Sequence, residues 1–531
     1  MAVADYFDRA SEGAAQILRN YDRTEFERRL NSRDVVIAYD KNALETSEGR
    51  ASLDLLVRLI ARMYPNLDLR PLGGAPRAAE LEELARSINP WIEIVEARRG
   101  KAATVVVGET AVRGGKAIYI GSEFWIAGVG TSGPIGSVDS GNPFGAGAAA
   151  CLGAANLFRV FFSDLLENGG LDANARISLL NFATGDKATN EYSRKRNDIG
   201  HVQLVGVGAI GNAVAWALSN GARLTGTVDL IDPQPIELSN LQRYVLANRT
   251  EVAAIKVNLA ASFFPGLGKV TANPVQKSWS EFVRHTGSHH FDLVATALDT
   301  AADRVEVQGS LPKFIVNAWT QPGDVGVSRH AFLGNNACLA CMYLPTGKRR
   351  NEDEIIADEL RMPELVKRLR TMLHTGHPVG VDFVREVAKR ATADAEPLMP
   401  FANLPLRAFR AKAICGQALL AANDSDRTAV QVPMAFQSAM AGLMLAAEIV
   451  AHQSGLRDEG LPTKSALDLL RPIPGRLNVP VIKDKAGTAR CICLDEDYRT
   501  AFKAKYETPR KQKAKSNASG RSDGSLSNAE V

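Results

Sequence analysis

The segment Leu204-Val205-Gly206-Val207-Gly208-Ala209-Ile210-Gly211 ends an apolar strand in the pattern G-x-G-x-x-G and opens an apolar helix, NAVAWALSNG. At such a turn the first glycine permits the tight bend and the second lets a phosphate approach the backbone. The helix N-terminus adds orphan N–H donors and a favourable dipole. Asp232, closing the next strand TVDLID, stands where a ribose-binding acid belongs. To this point a dehydrogenase or a flavoprotein fits as well. The polar run from Ile236 to Tyr244 (IELSNLQRY) separates the readings, because a dehydrogenase has no reason to carry it. Chemistry of a second kind is written in the cysteines. Six of them in 531 residues cannot form a disulfide framework, and the close pairs Cys338/Cys341 and Cys491/Cys493 suggest a metal in a reducing compartment.

The run resembles the S-N-L-x-R motif of the ThiF/MoeB and ubiquitin-activating-enzyme superfamily. In that family a ribose Asp, an Asn, an Arg eleven residues after the Asp, a Lys thirteen further on and a strand-end Asp together hold MgATP. Here they fall in order on Asp232, Asn240, Arg243, Lys256 and Asp299, the last at the end of FDLVATALD. The resemblance implies that Asp232 accepts the ribose hydroxyls. Asn240, Arg243 and Lys256 neutralise the triphosphate and the charge that develops as pyrophosphate leaves. Asp299 would hold Mg²⁺, a hard ion that prefers carboxylate oxygen. The chain departs from the family's G-x-G-G-x-G loop at Ala209, a one-methyl intrusion expected to tighten or shift phosphate approach. The arginine that many members supply from a partner half has four candidates, Arg28, Arg29, Arg194 and Arg196, none with a decisive motif.

Two cysteine pairs at these points of the family's chain bind a structural zinc, which implies zinc on Cys338, Cys341, Cys491 and Cys493. The second pair is C-x-C where the family commonly has C-x-x-C. Ubiquitin-activating enzymes also place a thioester-forming cysteine in a helical insertion, which points to Cys415, with Arg410 and Lys412 near enough in sequence to lower its pKa. Cys151, in an Ala-rich helix, reads as core.

The elements that must position these residues follow from pattern. Residues 34–40 read as a buried strand, 50–63 as a helix, and 103–107 with 117–120 as strands, an α/β pattern without a glycine loop after its first strand, where Asp40-Lys41-Asn42 stands. A second α/β unit begins near residue 200. Both contain a Pro-led, small-residue helix, after Asn142-Pro143 and after Val432-Pro433, which marks a tandem pair of related halves. The expected fold is therefore a Rossmann-like, ThiF-type adenylation domain with a tandem degenerate α/β half and a helical, cysteine-bearing insertion. Residues 1–190 form the degenerate half, 191–345 the nucleotide-binding part, 346–431 the helical insertion, 432–502 the remainder of the adenylation domain and 503–531 a disordered basic tail.

Composition bounds the rest. With 63 Lys+Arg against 59 Asp+Glu the net charge is +4, much of the excess lying after residue 502, so a nucleic-acid-binding body is not indicated. No basic n-region precedes an apolar stretch at the start, and the apolar segments 144–162 and 432–452 read as buried helices rather than membrane spans. The resemblance thus implies a cytoplasmic, bacterial-type enzyme using ATP and Mg²⁺, with structural zinc, a ubiquitin-like protein as substrate and a conjugating enzyme as acceptor. Two alternatives stay open: adenylation of a sulfur-carrier protein or peptide without a thioester, and a ubiquitin-like-protein-binding scaffold without turnover.

Overall fold

The computed structural model describes residues 4–96, 102–112, 117–192, 197–264, 266–287, 289–344, 351–391, 394–410, 432–457, 460–473, 477–483 and 491–506. Two helices, α1 (Phe7–Ile17) and α2 (Arg23–Ser32), lead into β1 (Asp34–Tyr39), α3 (Lys41–Glu45), α4 (Ser47–Ile60), β2 (Asn66–Pro71), α5 (Ala79–Ile88) and β3 (Glu93–Ile94). The first half closes with β4 (Ala102–Val107), β5 (Ala117–Glu123), β6 (Ile126–Gly130), α6 (Pro143–Phe162) and β7 (Asn174–Ser178). The second runs β8 (Asn197–Val205), α7 (Ala209–Asn220), β9 (Leu224–Ile231), α8 (Lys256–Ser262), β10 (Lys269–Val275), α9 (Trp279–His285), β11 (Leu293–Thr296), α10 (Ala301–Gly309), β12 (Phe314–Gln321) and β13 (Asp324–Ala331).

Helices α11 (Glu352–Glu359), α12 (Val366–Thr375), α13 (Val381–Ala391) and α14 (Leu406–Arg410) follow. The chain then returns through α15 (Ala435–Gln453), β14 (Lys464–Leu467), β15 (Asn478–Val479) and α16 (Glu496–Tyr506). Residues 345–431 form a compact unit of their own, closed over Ile356, Leu360, Leu369, Phe383, Val387 and Phe409.

The two sheets share one topology. The first is ordered β3-β2-β1-β4-β5-β6-β7, parallel through β5 and antiparallel beyond it. The second is ordered β10-β9-β8-β11-β12-β13-β14-β15, parallel through β12 and antiparallel beyond it. Counting along the paired strands puts Tyr39 where Gly206 stands, Pro71 where Asp232 stands and Glu109 where Asp299 stands. Asp68 and Asp229, both buried acids, also coincide. The first half therefore keeps the scaffold and lacks the cradle. In place of an open loop, the Asp40 carboxylate takes the N–H of Ala43 (3.2 Å), the N–H of Glu109 (2.7 Å) and the hydroxyl of Thr110 (2.7 Å).

Both small-residue helices are core elements. Pro143 at the first turn, with Asn142 as cap, starts α6, in which every residue but Val160 is buried; α15 is buried from Ala435 to Ala451. A glycine of α6 permits the close approach that joins the halves, and one of α15 seats that helix on α7. A Cβ on Gly147 would lie 2.7 Å from Leu443 and 2.8 Å from Trp216, and one on Gly442 would lie 2.5 Å from Ala213. One hydrophobic cluster consequently runs through both halves. The basic tail begins later than expected: residues 503–506 form the last turn of α16, because Phe502 is buried, Lys505 donates to the carbonyls of Ser310 and Leu311, and the Tyr506 hydroxyl bonds the carbonyls of Phe291 and Leu311. Residues 507–531 lie outside the described residues.

Candidate functional site

The loop from Gly206 to Gly211 is shaped by two obligatory glycines. Gly206 has φ of +92° and a Cβ there would stand 2.4 Å from the Ala297 carbonyl oxygen, while a Cβ on Gly211 would stand 2.3 Å from that of Gly206. Gly208, the N-cap of α7, is different. Among the described residues, and apart from its own chain neighbours, the single atom a Cβ would meet within 4 Å is the Tyr244 hydroxyl, at 3.5 Å. The space over Gly208 is thus open, as a phosphate cradle at a helix N-terminus requires. The Ala209 methyl packs against the cluster of Tyr6, Ile236, Leu241, Tyr244 and Ala247.

Asp232 is buried just past β9, and each of its oxygens takes one backbone N–H, from Val207 (2.9 Å) and from Gln234 (2.9 Å). It therefore shapes the loop as well as presenting the remaining lone pairs to a ribose. Asn240 caps its own turn, its side-chain oxygen accepting from Glu237 N–H at 3.0 Å. Lys256 opens α8, is buried, donates to Gln234 Oε1 at 2.7 Å and lies 5.6 Å from the Tyr244 ring centroid. Arg243 is partly buried, and its Nη1 is fully buried with no hydrogen-bond partner among the described residues. Desolvation holds its pKa below the ordinary guanidinium value, opposed by the charges of nearby Tyr244, Asp299 and Glu12. Asp299, exposed in the loop after β11, is thus within electrostatic reach of Arg243.

Two groups from the first half converge on this site, and neither is signalled by motif. Arg62, just past α4 and almost wholly buried, donates to the carbonyls of Leu241 (3.0 Å), Tyr244 (2.6 Å) and Ala247 (2.9 Å), fixing the segment that carries Arg243. Arg9 on α1 is the cation whose charge Arg243 feels. Of the four arginines expected as candidates, Arg28 and Arg29 are occupied elsewhere, Arg28 by Glu25 and Arg29 by Glu25 and Asp164, and Arg194 and Arg196 lie outside the described residues.

The second cluster joins Cys338 and Cys341, after β13, to Cys491 and Cys493, before α16. The sulfurs are separated by 3.4 Å (Cys338–Cys491), 3.3 Å (Cys341–Cys491), 3.5 Å (Cys341–Cys493) and 3.7 Å (Cys338–Cys341), all four within 4.8 Å of one another. Ligand sulfurs about 2.3 Å from a tetrahedral zinc stand about 3.8 Å apart, so the set fits one such ion. The C-x-C spacing of the second pair is no obstacle, because the short turn over 492–494 brings both sulfurs to the cluster. Cys415 and Lys412 lie outside the described residues. Arg410, expected to act on Cys415, already makes a two-pronged pair with Glu359 at 2.5 and 2.7 Å.

Residues 187–476 match the model of the ThiF family, and residues 38–163 match that of prokaryotic E2 family C. The protein y4jF of Sinorhizobium fredii (strain NBRC 101917 / NGR234) is 43% identical over 516 residues, covering 95% of this chain and 98% of its own. Among solved structures, the microcin C7 biosynthetic enzyme MccB with N-formylated MccA is 13% identical, with a TM-score of 0.32 over 53% of this chain and 66% of its own. E. coli MccB with ATP is 12% identical, with the same TM-score and coverage. The chain spans a little under two thirds of the length of these structures.

Proposed function

The chain belongs to the ThiF family of adenylation-type enzymes, and from that premise we propose that it activates the C-terminus of a ubiquitin-like protein with ATP and then carries it as a thioester on Cys415. The substrate's terminal carboxylate attacks the α-phosphorus of ATP, forming the acyl–phosphate bond and expelling pyrophosphate. The Cys415 thiolate then attacks the acyl carbon, forming the thioester and releasing AMP. No side-chain base is needed for the first step, because the carboxylate is already a nucleophile and the site's task is orientation and charge stabilisation. Gly206, Gly208, Ala209 and Gly211 form the cradle, Asp232 takes the ribose, and Asn240, Arg243 and Lys256 meet the phosphates. Asp299 would hold Mg²⁺, which, when bound, neutralises phosphate charge; the four-cysteine cluster would hold structural zinc.

The observation that carries the reading is Arg243: a buried guanidinium nitrogen without a partner among the described residues, next in sequence to the tyrosine whose hydroxyl borders Gly208, is a group built for an anion that arrives. The first half has a supporting role. Its single cysteine, Cys151, is fully buried and its thiol pKa is pushed up by desolvation, so its match to an E2 family comes without a thiol fit to accept an acyl group. A separate conjugating enzyme as acceptor, and a cytoplasmic setting, belong to the same proposal. A second reading, adenylation of a peptide or sulfur carrier without a thioester, is favoured by one fact: Glu359 already neutralises Arg410.

The test uses ATP–pyrophosphate exchange and a non-reducing gel with the cognate small protein. Arg243→Ala or Asp299→Ala should lower exchange by at least about a hundredfold. Cys415→Ser should keep exchange and abolish the thiol-sensitive adduct. Exchange indifferent to Arg243 and Asp299 rejects the site, and exchange without any adduct in the wild type selects the second reading.

A further inference from the structure

Tyr244 ends the polar run, yet neither the glycine loop nor the charged set gives it a task. We propose that its hydroxyl is a phosphate-binding group, donating a hydrogen bond to the nucleoside triphosphate as the phosphates lie over Gly208. The assignment rests on the nucleotide-site reading above and adds to it a neutral donor.

Position comes first. The second glycine of such a loop is where a phosphate meets the backbone, and among the described residues the hydroxyl is the one atom beyond the chain neighbours bordering the space a Cβ would enter there, at 3.5 Å. The ring cannot swing away. It is 3% exposed, packed with Ala4, Tyr6, Ile236, Leu241 and Ala247, and its own carbonyl is held by Arg62 at 2.6 Å.

Donor logic then orients the proton. Lys256 is tied to Gln234 at 2.7 Å and its ammonium lies 5.6 Å from the centroid of the Tyr244 ring, where its charge acts on the phenol. An ammonium is positive and has no lone pair, so the phenol turns its oxygen rather than its hydrogen toward it. The hydroxyl hydrogen must therefore point elsewhere, and it has no acceptor among the described residues. A phosphate oxygen over Gly208 supplies one. Burial keeps the phenol protonated, which a donor to an anion requires.

Tyr244→Phe removes this one donor and leaves the ring in place. The full-length chain is titrated with MgATP by calorimetry, and adenosine is titrated separately as a ligand without phosphates. Hydrogen bonds to charged groups are the stronger class. The dissociation constant for MgATP should rise about tenfold or more in the variant, with adenosine binding and the thermal midpoint unchanged. MgATP affinity within about twofold of wild type overturns the assignment. Equal weakening for ATP and adenosine also overturns it, because the loss would then lie in the shape of the loop. A wild-type chain that binds no MgATP overturns the nucleotide-site reading itself, and this assignment with it.

Discussion

Glu48, in the first turn of α4, is a fully buried carboxyl surrounded by donors rather than cations. It accepts from the Ser122 hydroxyl (2.5 Å), the Phe124 N–H (2.9 Å) and the Ser140 hydroxyl. Burial outweighs these bonds and pushes its pKa up to about 7. A carboxyl whose folded value exceeds its ordinary one contributes stability that is complete below the ordinary value, near 4.5, and is lost as pH rises through about 7. The contribution is roughly 3 kcal/mol. Thermal unfolding between pH 5 and pH 8 should therefore show the wild type losing ground to Glu48→Gln, whose amide cannot ionise; parallel curves for the two would mean that Glu48 titrates normally. Such a residue is invisible in SEGR, which reads as a solvated helix start. Asp232, Arg243, Lys256 and Asp299 could be named as candidates because a fixed spacing ties them together. Arg62 and Tyr244 were not, because what defines them is a set of contacts separated by up to 185 residues.

At the scale of elements, the cysteine cluster brings the segment after β13 to the start of α16, and α16 in turn anchors to the carbonyls of Phe291, Ser310 and Leu311. Four thiols gathered this closely are compatible with folding energy drawn from an ion, because thiolates without a metal would repel one another. Freshly prepared, chelator-free protein should contain about one zinc per chain. Cys338→Ser with Cys341→Ser should lose it together with several degrees of thermal stability, and elemental analysis finding no zinc in the wild type would remove the claim. The sequence marked both pairs and left their geometry open, since a C-x-C pair reaches one ion only if the turn between its members is tight. Strand and helix positions were readable wherever apolar runs were long, as in β1, α6 and α15. The end of α16 was misjudged because its lysines look like tail, while Lys505 is in fact spent on the carbonyls of Ser310 and Leu311.

On the scale of the molecule, the same strand order appears twice with one cradle. Tyr39 and Pro71 occupy the positions of Gly206 and Asp232, and a phenol ring and a pyrrolidine can neither admit a phosphate nor accept a ribose hydroxyl. Calorimetric titration should return one MgATP per chain; two equivalent sites would contradict this. The shared strand order of the halves was legible only faintly, through their two Pro-led helices, because strand order is a property of pairing and leaves little trace in local composition. The sealing of α6 against α7 and α15 through Gly147 carries a further consequence. In a homodimer every substitution appears twice, so a second site cannot decay without the first, and the pair falls apart on dilution. Two halves held in one chain escape both limits: their pairing is independent of protein concentration, and a residue in one half can be replaced while its counterpart in the other is kept.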